Sequence, residues 1–349
     1  MHRLQLSPGY EISRVIRGGW QLSGSHSASI SDDPAGDMIA FADAGITTFD
    51  CADIYTGVEE LIGQFRARYR DLRGQAALNR IKVHTKFVPD LEVLPHISKS
   101  YVETVIDTSL RRLGMERLDL VQFHWWNYGV PRWLETAHWL EQLRRAGKID
   151  KIGGTNFDTR RMTEMIDSGA PLASMQVQYS LLDRRPAKSM VQAAIQRGVA
   201  LFCYGTVAGG FLSEKWLGAP EPKGAMENRS LTKYRLIIEE FGGWDLFQTL
   251  LRTLYAIARR HRTDIATVAS VAVLEWPAVA AVIVGARNRA HLPANLAISD
   301  LSLTKDDRAE IDGVLVEGKE LEGDVFALER DTKGRHGSIM KYNLNKGAA

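Results

Sequence analysis

The feature that most constrains the fold is a repeated pairing of a helix that ends in glycine with an apolar segment that follows it directly. Four glycines end amphipathic stretches and precede runs of branched and aromatic residues: Gly45, Gly114, Gly147 and Gly198. Glycine readily takes the left-handed conformation that ends a helix. Near-continuous apolar runs are typical of parallel strands that are buried on both faces. The pattern therefore predicts helices that alternate with parallel strands.

Eight strands fit this rhythm, and we predict them at residues 15–20, 46–50, 81–87, 118–124, 149–156, 173–179, 199–204 and 280–285. Eight βα units in one chain of 349 residues predict an α/β protein with a (β/α)₈ TIM barrel. An open doubly wound sheet is the alternative. Against it, none of the predicted strands is followed by the Gly-x-Gly-x-x-Gly loop of a dinucleotide-binding fold.

The barrel is expected to form a single domain over residues 1–322, followed by a tail over 323–349. The turn signal Pro8-Gly9 predicts an N-terminal β-hairpin. A long connection, residues 208–243, follows the seventh strand, and such loops are usually functional or disordered. The tail is polar and mostly basic, without a clear period. The sequence leaves open whether it is disordered, covers the barrel mouth or contacts a neighbouring subunit.

Composition narrows the classes of partner. The formal net charge of +2 gives no reason to expect nucleic acid or an anionic membrane surface. The first residues lack the apolar region of a signal peptide, and no stretch has the length of a membrane span. Cys51 and Cys203 lie in apolar runs, outside any metal-ligand spacing, and are interpreted as reduced core residues. We expect a cytoplasmic protein without a metal site, acting on a small molecule.

Four side chains with useful chemistry follow neighbouring predicted strands, at the ends where barrel enzymes place their active sites. Asp50 ends the second strand, Tyr55 follows it, Lys86 ends the third and His124 ends the fourth. A lysine within an apolar strand needs a charged partner, which Asp50 could supply. An ammonium group beside Tyr55 would lower the phenol's pKa from about 10, and His124 could orient a carbonyl oxygen. The set is predicted to protonate a carbonyl oxygen while an organic cofactor delivers hydride to its carbon.

Further candidates stand at the other strand ends: Gly19, Trp20, Trp125, Trp126, Thr155, Asn156, Gln176, Gln178, Tyr179, Tyr204, Gly205 and residues 285–288. Several aromatic residues are predicted to line a substrate pocket: Trp20, Tyr55, Trp125, Trp126 and Trp216. Aromatic walls suit aldehydes and the apolar faces of sugars without choosing between them.

Four segments of the chain resemble motifs of the aldo-keto reductase superfamily: residues 45–63, 118–125, 152–157 and 204–212. The first is similar to a signature of that family. The second resembles the segment with the catalytic histidine, and the third the segment that binds the carboxamide of the cofactor. The fourth resembles the stretch whose tyrosine stacks on nicotinamide. The resemblance extends from about Val15 to Leu303.

This resemblance implies a barrel that binds a nicotinamide dinucleotide at its carboxyl mouth. It also implies a catalytic tetrad of Asp50, Tyr55, Lys86 and His124, with Tyr55 as general acid in reduction and general base in oxidation. Asn156 and Gln176 would hold the carboxamide, and Tyr204 would stack on the ring. The cofactor contacts predicted in full are Gly19, Trp20, Asp50, Thr155, Asn156, Gln176, Tyr204, Gly205, Gly285, Arg287, His291 and Asn295.

The segment after the eighth predicted strand bears on the choice between NADP and NAD. Many NADPH-selective members of the family carry a lysine and a later arginine where this chain has Gly285 and His291. Arg287 remains, with Arg289 close by, and a guanidinium group can hold a phosphate through two hydrogen bonds. We expect NADP, and the sequence leaves use of NAD open.

Three functions are compatible with these residues. The first is a nicotinamide-dependent carbonyl reductase or alcohol or sugar dehydrogenase. The second is a cofactor-binding regulatory protein on the same scaffold, like the potassium-channel β subunits. The third is a barrel hydrolase with Asp50 and Asp53 as paired carboxylates, which would give Lys86 no role. The substrate, the direction of the reaction and the oligomeric state stay open.

Overall fold

The computed structural model describes residues 3–23 and 31–345. Its strands, numbered in chain order, are β1 (Arg3–Ser7), β2 (Tyr10–Ser13), β3 (Val15–Gly18), β4 (Thr48–Asp50), β5 (Lys82–Phe87), β6 (Leu118–Phe123), β7 (Ile149–Thr155), β8 (Ser174–Gln178), β9 (Ala200–Tyr204) and β10 (Val279–Gly285). Strands β3 to β10 are parallel and form a closed barrel. Closure depends on β3, which pairs with β4 on one side and with β10 on the other. The predicted (β/α)₈ barrel is confirmed, and the doubly wound sheet is excluded because such a sheet would have two free edges.

Helices fill the connections between the strands. They are α1 (Pro34–Asp43), α2 (Val58–Arg73), α3 (Gln75–Leu78), α4 (Lys99–Leu113), α5 (Trp133–Arg145), α6 (Thr159–Asp167), α7 (Arg185–Lys188), α8 (Met190–Arg197), α9 (Arg229–Phe241), α10 (Gly243–His261), α11 (Ile265–Leu274), α12 (Leu292–Asp300), α13 (Lys305–Leu315) and α14 (Ala327–Arg330). The four glycines that predicted helix ends, at positions 45, 114, 147 and 198, have φ values of +98°, +60°, +86° and +67°. Each therefore adopts the left-handed conformation on which the prediction rested.

The hairpin β1–β2 covers one end of the barrel. The two strands are antiparallel, with Leu4 opposite Ile12, as the turn at Pro8-Gly9 predicted. Tyr10 and Ile12 pack on the barrel residues Ile16 and Phe202 in a small apolar cluster. Because the hairpin leads directly into the start of β3, it lies at the amino-terminal end of the parallel strands. The hairpin therefore does not cover the carboxyl end of the barrel.

The long connection after β9 has regular structure, which corrects the expectation of an irregular loop. It contains two short 3-10 turns and then α9, which buries Tyr234, Ile237, Ile238 and Phe241. These four residues follow helical spacing, which was obscured in the sequence by Pro220, Pro222 and the glycines before them. The tail also has structure, because α14 lies within it.

The described part of the chain bears on membrane spans, metal sites and the state of the two cysteines. No helix in residues 3–23 and 31–345 is long and apolar enough to cross a membrane. Those residues also contain no group of three or more His, Cys, Asp or Glu side chains placed to hold a metal ion. Cys51 and Cys203 are buried and unpaired, as predicted.

Candidate active site

A buried ion pair joins the carboxyl ends of β4 and β5. Lys86 Nζ lies 2.6 Å from Asp50 Oδ2 and donates a second hydrogen bond to Cys51 O at 2.8 Å. The two charged side chains are each only 5% exposed. Burial alone would lower the pKa of Lys86, but the charge and hydrogen bond of Asp50, together with Tyr55 and Cys51, outweigh burial and raise that pKa above its ordinary value. Lys86 is therefore a fixed ammonium group.

Two glutamines hold the other oxygen of the same carboxylate. Gln122 Nε2 donates to Asp50 Oδ1 at 3.0 Å, and Gln176 Nε2 donates to the same atom at 2.6 Å. Gln176 Nε2 also lies 3.1 Å from Gln122 Oε1. Sequence reasoning missed Gln122, although it lies two residues before His124 and side chains two apart on a strand share a face. Asp50 is thus the centre of a network of side chains from β4, β5, β6 and β8.

Tyr55 lies in the loop after β4, between Lys86 and Trp20, which belongs to the loop after β3. Lys86 Nζ is 4.9 Å from the centre of the Tyr55 ring, and the Trp20 ring is also 4.9 Å from it. Burial raises the pKa of Tyr55, and the charge of Lys86 only partly opposes that rise. Lys86 thus lowers this pKa as expected, but desolvation of the phenolate outweighs the ammonium group, so the pKa of Tyr55 lies above its ordinary value.

His124 follows β6 and is fixed through one ring nitrogen. Its Nδ1 lies 2.9 Å from Thr155 O, which can only accept, so Nδ1 carries the proton. Its Nε2 is buried and has no hydrogen-bond partner in the described chain. Burial, together with the charge of Arg330, lowers the pKa of His124 to about 3. The ring is neutral at physiological pH and offers Nε2 as an acceptor.

Asn156 and Tyr204 meet across the mouth. The Tyr204 hydroxyl donates to Asn156 Oδ1 at 2.9 Å. Asn156 has a φ of +59°, the left-handed region, which turns the chain sharply after β7. Gly205 has a φ of +78°, and a Cβ there would lie 2.5 Å from the Tyr234 hydroxyl. Glycine is thus required both by the backbone and by the close approach of α9.

The loop after β3 lies against the same rim. Gly19 N donates to Asp50 O at 2.7 Å, and a Cβ on Gly19 would lie at that same distance from this oxygen. Gly19 therefore has a packing role beside Asp50, and it places Trp20 next to Tyr55.

The predicted aromatic pocket is only partly correct. Trp126 packs edge-on against His124, with ring centres 4.3 Å apart, and Phe326 of the tail lies 5.6 Å from the same ring. Trp125 is fully buried on the other face, against Phe123, so its predicted place in the pocket is wrong. The predicted place of Trp216 in this pocket is also wrong.

Trp216 packs on Phe211 and Trp244 in the connection after β9, with ring centres 4.7 Å and 5.8 Å away. Gln178 and Tyr179 are also buried. Gln178 donates a hydrogen bond to Asp183, and Tyr179 packs against Trp276.

The residues predicted to contact the 2′-phosphate end of the cofactor lie at the end of β10 and in the segment after it. A Cβ on Gly285 would collide with the side chain of Gln21, 2.4 Å away. Arg287 and His291 are exposed. Asn295 is buried in the first turn of α12, and its Nδ2 has no partner in the described chain.

Asp53 is not the second member of a carboxylate pair. Its Oδ1 accepts from Ile54 N and its Oδ2 from Val88 N, both at 2.9 Å. Burial raises its pKa to about 8. Both oxygens accept hydrogen bonds from the backbone, so Asp53 stabilises the loop that carries Tyr55. The hydrolase hypothesis therefore lacks its second carboxylate.

Unsatisfied polar atoms around the mouth test whether a nicotinamide dinucleotide fits. Among the buried atoms that lack partners in the described residues are His124 Nε2, Trp126 Nε1 and Asn295 Nδ2. Buried polar atoms are normally paired with protein, water or ligand. These atoms extend from the end of β6 to α12, which suits a long polar ligand lying across the mouth. The residues present therefore fit a dinucleotide.

Comparison with known proteins gives a family match over most of the chain. Residues 14–316 match the model of the Aldo/keto reductase family. The chain is 26% identical over 315 residues to the aldo-keto reductase YhdN of Bacillus subtilis (strain 168), covering 88% of this chain and 91% of that one. It is 28% identical over 299 residues to the L-glyceraldehyde 3-phosphate reductase of Escherichia coli O157:H7, covering 79% and 82%.

Solved structures share the fold. The thermostable aldo-keto reductase Tm1743, solved with the inhibitor epalrestat, has a TM-score of 0.67 and 25% identity, covering 90% of this chain and 100% of that one. The glycerol dehydrogenase of Gluconobacter oxydans has a TM-score of 0.75, covering 92% and 97%, and at 22% identity it shows the fold alone.

Proposed function

The chain belongs to the aldo/keto reductase family, and we propose that it is an NAD(P)(H)-dependent oxidoreductase that interconverts aldehydes, ketones or aldoses with their alcohols. One observation carries this proposal. Tyr55, the Asp50–Lys86 pair and His124 converge on the carboxyl end of one barrel. Family membership supports oxidoreductase chemistry, and this geometry supports the role of each residue.

Residues at the mouth would hold the dinucleotide, which supplies or accepts the hydride when bound. Asn156 and Gln176 would hold the carboxamide, and Tyr204 would lie against the ring. Because Gln176 Nε2 is engaged by Asp50, its Oε1 is the atom we assign to the carboxamide N–H. Asn295 would hold the adenosine end, and exposed Arg287 would contact a 2′-phosphate, so we favour NADP over NAD.

Tyr55 would move the proton. In reduction it donates to the carbonyl oxygen, and in oxidation it accepts from the alcohol. Burial makes the phenolate costly, and the ammonium group of Lys86 limits that cost. Asp50 keeps Lys86 charged and directed, so it acts on Tyr55 through Lys86.

His124 would position the alcohol oxygen. With its proton on Nδ1, the ring can accept a hydrogen bond at Nε2 from the alcohol hydroxyl. In oxidation the hydroxyl turns this single proton from His124 to Tyr55, and in reduction it donates to His124 after Tyr55 has supplied the proton. Burial and Arg330 keep the ring neutral, which preserves this acceptor. The aromatic faces of Trp20, Trp126 and Phe326 would flank the substrate, which suits a small carbonyl compound or alcohol.

Absorbance at the nicotinamide band, measured with NADPH or NADP⁺ and a panel of aldehydes, ketones, aldoses and alcohols, tests the function directly. We expect Tyr55→Phe to lower kcat by about 10²–10⁴-fold, because it removes the proton donor. Cofactor affinity should be unchanged. Tyr255→Phe, at an exposed site on α10, is the matched control and should keep full activity.

Near-normal turnover by Tyr55→Phe would show that the mechanism is wrong. Binding of NADPH by the unmodified protein without its oxidation across the panel would instead favour the cofactor-binding regulatory protein. We also propose a cytoplasmic location, supported by the buried unpaired thiols of Cys51 and Cys203, which suit a reducing compartment.

A further inference from the structure

Arg330, in the tail, reaches across the barrel mouth to the ends of two strands. We propose that Arg330 is a positioning residue of the active site, which fixes the loops after β6 and β7 that carry His124 and Asn156. The inference rests on the proposed function, because it concerns the residues assigned there to substrate and cofactor. It gives the tail a role that the sequence left open.

The contacts of Arg330 are with main-chain oxygens. Its Nη1 donates to Trp125 O and to Trp126 O, the latter at 2.8 Å, and its Nη2 donates to Asn156 O at 2.6 Å. One planar guanidinium group thus bridges the segment after β6 and the segment after β7. An ammonium group at the end of a lysine could not match this fork of donors.

The guanidinium group of Arg330 is not paired with a carboxylate in the described part of the chain. Within residues 3–23 and 31–345 it forms no salt bridge, and its cation lies 4.0 Å from the centre of the Tyr128 ring. A partly buried cation without an anionic partner is costly unless hydrogen bonds and aromatic faces stabilise it. The three carbonyl oxygens and Tyr128 supply that stabilisation, so the contacts depend on this geometry.

Both ends of Asn156 are held. Arg330 fixes its carbonyl oxygen while Tyr204 fixes its side chain, and its φ of +59° is uncommon outside glycine. The carbonyl oxygen of Thr155, the preceding residue, accepts the hydrogen bond from His124 Nδ1. A shift of the Asn156 carbonyl would therefore disturb both the amide proposed for the cofactor and the tautomer of His124.

The neighbouring residue anchors the tail. Glu329 is fully buried and forms salt bridges with Arg185 at 3.0 Å and with Lys233 of α9 at 3.2 Å. Arg185 in turn pairs with Asp183 at 2.7 Å. This network ties α14 to the segments after β8 and β9. Arg330 therefore acts from a fixed support.

The test compares Arg330→Met and Arg330→Lys with a control in the same tail, Arg335→Met. Arg335 forms an exposed salt bridge with Glu239 and lies outside the proposed site. Three quantities are measured: the Kd for NADPH by fluorescence, kcat and KM with the best substrate, and the His124 tautomer by ¹⁵N NMR of histidine-labelled protein. Thermal unfolding of each variant accompanies them.

We expect both Arg330 variants to bind NADPH about tenfold or more weakly, the cost of losing charged hydrogen bonds. His124 should lose its single Nδ1–H tautomer in both, with kcat reduced as well. Arg330→Lys keeps the charge, so a loss shared with Arg330→Met assigns the effect to the fork of donors. If Arg330→Met fails to fold, Arg330→Lys gives the answer.

A lower melting temperature with unchanged Kd and an unchanged His124 tautomer would overturn the proposal, because Arg330 would then be only structural. An equal effect of Arg335→Met would overturn it too. The tautomer is measured without cofactor, so it tests Arg330 even if the unmodified protein binds neither NADPH nor NADH. That last result would contradict the proposed function instead.

Discussion

Replacing Lys86 with Met should destabilise the protein by about 3–5 kcal/mol, the cost of breaking a buried ion pair by removing one partner. The Asp50 carboxylate would stay buried without the ammonium group that now lies 2.6 Å from Oδ2. Met nearly matches the apolar stem of lysine, so little of the loss would come from packing. Gln122 and Gln176 would still donate to Oδ1, which places the expected loss near the lower limit, about 3 kcal/mol.

The same strand provides a matched control. Lys82 pairs with Asp119 at 3.7 Å, and the two side chains are 17% and 16% exposed. Lys82→Met should cost about 1 kcal/mol, because this pair is longer and better hydrated. Asp119 also keeps the hydrogen bond from Val83 N at 2.9 Å.

A double variant separates the charge from other effects. Asp50→Asn with Lys86→Met removes both charges of this pair, so it should be more stable than Lys86→Met alone. Urea unfolding followed by tryptophan fluorescence and by circular dichroism measures the free energies, provided the two transitions coincide. A Lys86→Met loss no larger than that of Lys82→Met, or a double variant less stable than Lys86→Met, would refute the reasoning.

Two further predictions follow from the same structure. Burial and then Lys86 lower the pKa of His84 to about 3, so its stabilising effect is complete above about pH 6.5 and is lost as pH falls towards 3. His84→Phe keeps the stacking on Phe202. Between about pH 6.5 and 3 it should reduce the loss of unfolding free energy by up to about 1.4 kcal/mol per pH unit. If the free energy of unfolding falls equally with pH in the variant and the unmodified protein, the prediction is wrong. Arg287→Met should raise KM for NADPH about tenfold and leave KM for NADH unchanged, because only NADPH carries the 2′-phosphate; an equal change for both cofactors would exclude that contact.

Local signals in the sequence were sufficient to predict the barrel and the placement of Asp50, Tyr55, Lys86 and His124 at one rim. Each strand follows a glycine-ended helix or a turn, so its place depends on residues close in the chain. Asp50 and Lys86 could be paired because parallel strands end at one rim, and the ion pair lies there. Chain-local patterns predict such features well, since strand order in a barrel follows chain order.

Features that depend on the alternation of side chains along a strand, or on contacts between residues far apart in the chain, were harder to predict. Trp125 follows His124 directly, so alternation along β6 directs it to the outer face with Phe123, while Gln122 shares the inner face with His124. The same rule would have found Gln122 and rejected Trp125. The partners of Arg330 lie up to 205 residues away and are main-chain oxygens, which leave no trace in side-chain patterns.

That choice of partners has a consequence for how the pocket can evolve. Arg330 recognises the backbone at residues 125, 126 and 156, whatever side chains those residues carry. Trp126, which faces His124, could therefore be exchanged for another residue while the tail keeps its attachment. Under the proposed function, a change at Trp126 would therefore alter the substrate pocket without removing the contacts by which Arg330 holds the loops after β6 and β7.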